Sequence, residues 1–192
     1  MEAFRQNRHE KEGFTILEVV AALAVIAILM TALAVGFQKL IPLSESKRAR
    51  ADIARIQMSL EEYKESFGEY PKETSVGAAT PAMETILFNA LAGTLSPNGK
   101  LGNFPSLLDR MALEFQTSNF PVVGAAPQLH ANAFLDPWGN PYRYRYDPDD
   151  ANWENFNYVL FSAGPDGAFA EVTAAGQKNE SHQDNQDNIY SD

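Results

Sequence analysis

The longest uninterrupted run of apolar positions lies near the N-terminus, where nineteen residues from Val19 to Phe37 carry no charge and are dominated by Leu, Ile, Val and Ala. About twenty such residues let a helix cross the roughly 30 Å hydrocarbon core of a bilayer, so this run predicts a membrane-spanning helix. After Pro42 the pattern changes. Ile53, Ile56, Leu60, Tyr63 and Phe67 recur at spacings of three and four with charges filling the other faces, which predicts an amphipathic helix. Gly68 and Pro71 stop it. The two stretches read as one helix from Phe14 to Phe67, kinked at Pro42, which has no N–H for the helical ladder. The stripe covers only about two heptads, so packing on a sheet is expected rather than a coiled coil.

Further along, Thr80 as cap, Pro81 at the first position, then Met83, Ile86, Leu87, Ala90 and Leu91, closed by Gly93, predict a second helix. A short helix is also expected around Ser106 to Phe115. The turn formers Asp136-Pro-Trp-Gly-Asn-Pro precede Tyr142, Tyr144 and Tyr146, which alternate with Arg143 and Arg145. Period two with aromatics predicts a strand. A second strand, Tyr158 to Phe161, would pair with it antiparallel across the polar turn 147–155.

Composition and charge narrow the function classes. The chain has 192 residues, no cysteine and a net charge of −10. From Asp136 to Asp192 eleven acids face three bases. Such a surface repels phosphate backbones, whereas hard cations such as calcium suit it; a plain solvated acidic face is the alternative. Interleaved Tyr and Arg could stack single-stranded nucleic acid, but two arginines in acidic surroundings make a weak footprint, and no nucleic-acid partner is expected. No phosphate-binding glycine loop, HExxH or GxSxG is present, and His9, His130 and His182 stand singly. An enzyme is therefore not expected.

One residue contradicts the membrane reading. Glu18 lies at the start of the apolar run, where a carboxylate normally has a partner, and the span itself offers no cation. The apolar core is too long for a secretory signal peptide. Basic residues flank it on both sides, so charge alone does not set its orientation.

The polar leader ending in Gly13, then Phe14, Thr15, Glu18 four positions after Phe14, and the apolar run together resemble the N-terminus of type IV pilin-like prepilins. The resemblance implies that a prepilin peptidase cuts between Gly13 and Phe14 and N-methylates Phe14. The freed amine, on the same subunit or a neighbour, would neutralise Glu18 during filament assembly. It also implies residues 1–13 as leader peptide, 14–37 as the transmembrane half of the helix, 38–67 as its amphipathic half and 68–192 as a periplasmic head. The implied fold is α+β and pilin-like, with a long N-terminal helix packed on a small antiparallel sheet and a C-terminal loop. Where relatives carry a proline about twenty residues into the mature chain, this one has Val35.

YKESFGEYP, DPWGNPYRY and FSAGPDG, in that order, resemble the major pseudopilin of type II secretion systems, although residues 72–135 exceed that family's corresponding segment. This implies a structural subunit of a periplasmic filament that helps export folded proteins across the outer membrane. The subunit would be held in the inner membrane by a single pass and assembled with copies of itself and other pseudopilins on an inner-membrane secretion platform. A type IV pilin or minor pilin for adhesion, motility or DNA uptake is the alternative. A calcium ion in the C-terminal loop is implied too, held by Asp166 and Asp187, the carbonyls of Ala163 and Ala168, and Asn185 at the family's hydroxyl position. That pairing requires Phe169 to Asp184, longer than the family loop, to bulge outward; Asp184 is a replacement ligand.

Overall fold

The computed structural model describes residues 15–108 and 112–191, and of residues 32–42 the backbone course alone. Its elements are α1 (Ile16–Phe67), α2 (Met83–Leu91), β1 (Glu114–Phe115), β2 (Phe134–Leu135), β3 (Arg143–Arg145), β4 (Val159–Ser162), a 3-10 turn (Gln183–Asn185) and β5 (Ile189–Tyr190). The architecture is α+β, as the sequence predicts. Two compact units divide the chain, Met1–Leu43 and Ser44–Asp192.

In the first unit the apolar side chains from Ile16 to Met30 are exposed; Ile16, Leu17 and Ile28 keep 85%, 79% and 68% of their surface. A surface this apolar is unfavourable in water and calls for lipid or other protein to cover it. Among the described residues no helix is long and apolar enough to cross a membrane. The expected span continues through 32–37, whose side chains lie outside the described residues.

The second unit is a head built around the C-terminal half of α1. Ala49, Ile53, Ile56, Leu60 and Tyr63 are buried in one core with α2, Tyr142, Tyr144 and Leu160, so the predicted stripe is the packing face. Asp52 departs from the expectation that charges occupy only the other faces. It is 2% exposed, held by Arg55 Nη1 at 2.5 Å, and takes a bond from the Tyr142 hydroxyl at 3.4 Å. Burial raises its pKa against the pull of Arg55 and Arg48. Gly68, at φ +86°, ends the helix in the left-handed region, its N–H donating to Lys64 O at 2.7 Å.

Strand order in the three-stranded antiparallel sheet is β3-β4-β5. Arg143 pairs with Phe161 and Arg145 with Val159; Phe161 pairs with Tyr190 and Ser162 with Ile189. Tyr142 and Tyr144 point into the core, and the Tyr144 hydroxyl donates to Pro71 O at 2.7 Å. All four residues of β4 are buried, because as the central strand it is covered on both faces. Phe169 and Tyr190 stand over Phe161 at ring separations of 6.0 and 4.9 Å.

Two details of the middle region correct the sequence reading. The cap of α2 is Ala82, with no side-chain bond; Thr80 faces the Ser75 hydroxyl instead. Of the helix expected around Ser106 to Phe115, Glu114–Phe115 is strand β1, paired antiparallel with β2, while 109–111 lie outside the described residues. The extended backbone sends neighbouring side chains opposite ways. Phe115 joins Phe88, Phe120 and Phe134, and Glu114 takes a bond from Arg48 at 2.6 Å.

Candidate functional site

Gly13 and Phe14 lie outside the described residues; the first described position is Thr15. It closes a capping box on α1. The Thr15 hydroxyl accepts from the Glu18 N–H at 3.2 Å. In return Glu18 Oε2 accepts from the Thr15 N–H and the Thr15 hydroxyl, both at 2.9 Å. This reciprocal pairing satisfies donors at the helix start that otherwise have no partner. The carboxylate also faces the positive end of the helix dipole. Glu18 therefore has local partners before any amine reaches it. The Thr-x-x-Glu spacing carries this signal in the sequence.

At the other end of the chain, the DPWGN turn is the anchor of the C-terminal loop. Asp136, 1% exposed, accepts at Oδ1 from the N–H groups of Trp138 (3.0 Å) and Asn140 (2.9 Å), an Asx turn that fixes the bend. Its Oδ2 accepts from the Ser162 hydroxyl at 2.5 Å, and Ser162 Oγ in turn accepts from the Gly164 N–H at 3.1 Å. Asn140 Nδ2 donates to Gly164 O at 3.0 Å. The two stretches DPWGN and FSAGPDG are thus one hydrogen-bonded body. Sequence reasoning read Asp136 and Asn140 only as turn formers and did not single out Ser162; their spacing alone does not reveal a contact across 26 positions.

The residues expected around a cation are placed as follows. Ala163 is fully buried. Asp166 is exposed, and its Oδ1 accepts from the Ala168 N–H at 2.9 Å. Asp187 lies against Gly164: a Cβ there would stand 2.8 Å from Asp187 Oδ2. Asp184 stands 3.6 Å from His182 Nδ1. Asn185 does not fit a ligand role in this conformation, because its oxygen already accepts from the Ala170 N–H at 2.7 Å and Asn188 Nδ2 at 2.9 Å. Among the described residues no three of His, Cys, Asp and Glu gather into a metal-holding group.

The Tyr–Arg alternation serves the fold. Arg143 donates to Glu84 at 2.7 Å and lies 4.1 Å from the centre of the Phe169 ring. Arg145 is paired with Glu73 and Asp147, so neither guanidinium is without an acidic partner.

Residues 8–34 match the family model for the prokaryotic N-terminal methylation motif. The matched span contains Gly13, Phe14 and Glu18 and stops short of the head. No curated protein matches the chain.

Proposed function

We propose that this type IV pilin-like prepilin is a pseudopilin, a structural subunit of a type II secretion filament. A prepilin peptidase hydrolyses the Gly13–Phe14 bond and methylates the freed amine of Phe14. The apolar first half of α1 then holds the subunit in the inner membrane, with the head in the periplasm. Subunits leave the bilayer by packing their apolar helices against one another, together with other pseudopilins, on the inner-membrane platform. The heads form the outer surface. Growth of the filament pushes folded cargo toward the outer-membrane channel. The work is mechanical rather than catalytic.

The observation that carries this reading is the methylation motif at 8–34, which takes in the exposed apolar start of α1, a surface that lipid or other protein has to cover. The joined DPWGN and FSAGPDG turns, which with YKESFGEYP carry the likeness to the major pseudopilin, support secretion over a surface pilus.

Deletion of the gene tests it. Loss of protein export with surface filaments, twitching and transformation intact is expected. Normal export with loss of twitching or transformation would assign the chain to type IV pili instead.

A further inference from the structure

We infer that the extended tail, residues 169–191, is braced by its own side chains rather than by a bound cation, with Asn185 as the cross-link at a position where calcium would be expected. Asn185 is 3% exposed. Its Oδ1 accepts from Ala170 N and Asn188 Nδ2, and its Nδ2 donates to Ala170 O at 3.2 Å and Asn179 O at 2.7 Å. A carboxamide has two acceptor sites and two N–H donors, and all four are in use. The side chain reads both backbone groups of Ala170, as a neighbouring strand would, and so ties residue 170 to residue 185. Turning the oxygen to a metal would break this pairing and leave buried donors without partners.

The tail does not bulge outward from this tie. Gly176 lies on the indole of Trp153, where a Cβ would stand 2.7 Å from the ring, and φ +72° also favours glycine there. Gly176 O accepts from Asn155 Nδ2 at 2.8 Å, and Ala175 O accepts from the Glu154 N–H at 3.2 Å. Phe169 is wedged between Phe161 and the guanidinium of Arg143.

Positive charge reaches this acidic region from within the chain. Lys178 Nζ donates to Ser191 O at 2.5 Å and stands 5.4 Å from the centre of the Tyr190 ring. It thereby binds the insertion to the residues of β5 and beyond. A calcium ion in the shorter loops of similar proteins would draw loop and tail together; here the amide of Asn185 and the ammonium of Lys178 do so. The insertion supplies Lys178 and two of the residues that Asn185 holds, Ala170 and Asn179.

The test uses the full chain in detergent micelles. Thermal unfolding in millimolar calcium and in EDTA should give midpoints equal within about 1 °C, below the roughly 2–4 °C that a loss of about 1 kcal/mol produces in a chain of this size, and calorimetric titration with calcium should give no saturable heat. A midpoint raised by calcium, or saturable binding that Asp187→Ala abolishes, overturns the proposal. Asn185→Asp separates the roles, because it keeps the acceptor oxygens and removes both donors. The brace requires a lowered midpoint in calcium and EDTA alike, whereas recovery in calcium would make position 185 a ligand. Should that variant fail to fold, Lys178→Met should speed cleavage within 169–188 by a non-specific protease with or without calcium. Protection restored by calcium counts against the brace.

Discussion

The Asp136 carboxylate and the Ser162 hydroxyl, 26 residues apart, meet at 2.5 Å, both almost wholly buried. This bond fastens the bend before β3 to the end of the central strand. Because Asp136 also holds two backbone N–H groups, Asp136→Ala leaves three donors without their acceptor. Each buried donor left unpaired costs about 1–3 kcal/mol, so a loss of about 3 kcal/mol or more is expected. Ser162→Ala removes two bonds, one to Asp136 Oδ2 and one from the Gly164 N–H, and should cost about 2 kcal/mol or more. Chemical denaturation of the head fragment Ser44–Asp192, a compact unit with its own core, checks both. Equal, small losses would show that the Asx turn contributes little.

The Thr15–Glu18 capping box gives Glu18 two roles that substitution can separate. Glu18→Gln keeps an oxygen for the Thr15 N–H and hydroxyl but removes the charge; Glu18→Ala removes both. If the charge is what assembly uses, the two variants should be cleaved by the peptidase and form filaments equally poorly. Filament yield restored in Glu18→Gln would assign Glu18 to the helix cap alone.

How far the sequence could be read depended on the range of the interactions. The α1 stripe and its end at Gly68 follow from spacing and a local backbone requirement, and the β3–β4 pairing from alternation across a turn. Each is a short-range rule. Asp52 broke the stripe's logic because its burial rests on Arg55 one turn away and on Tyr142, 90 positions along the chain. The helix expected around Ser106 to Phe115 fails at its end, where Phe115 lies in β1 and gains more from the rings of Phe88 and Phe134, contacts that no local pattern encodes. The candidate site divided in the same way. Thr15 and Glu18 lie three apart, and their capping is legible in that spacing. The role of Asn185 depended on where the insertion folds, which spacing along the chain does not reveal.

Gly93 closes α2 at φ +77°, and a Cβ there would overlap the backbone oxygen of Phe104. Gly68 has a similar φ of +86° with open space around it. The pair separates backbone strain from crowding. Gly68→Ala should cost about 1–2 kcal/mol, the price of a left-handed residue with a side chain. Gly93→Ala adds overpacking, itself worth about 1–3 kcal/mol, and should be clearly the worse. Urea midpoints of the two head variants check the order; equal losses would mean that Phe104 moves aside freely.

His130 should make the head acid-sensitive. It is 2% exposed, its ring Nδ1 lies 2.9 Å from Asn119 Oδ1, and its backbone N–H donates to Asn89 Oδ1 at 2.8 Å. Burial lowers its pKa below 6.5, since the imidazolium would lose its hydration there. As pH falls through about 6.5, the unfolded chain takes up a proton that the folded head refuses, so stability declines. The decline stops below the folded pKa, where both states are protonated. One such group contributes a slope of at most about 1.4 kcal/mol per pH unit. Asp52, whose pKa burial raises, titrates in native head and variant alike, so the difference between the two profiles belongs to His130. Denaturation at pH 7.5, 6.5 and 5.5 (roughly one pH unit on either side of the free imidazole value) should show this loss in the native head and a flatter profile in His130→Gln. Parallel profiles would mean that His130 accepts its proton in place and that the Asn89–His130 junction opens to water.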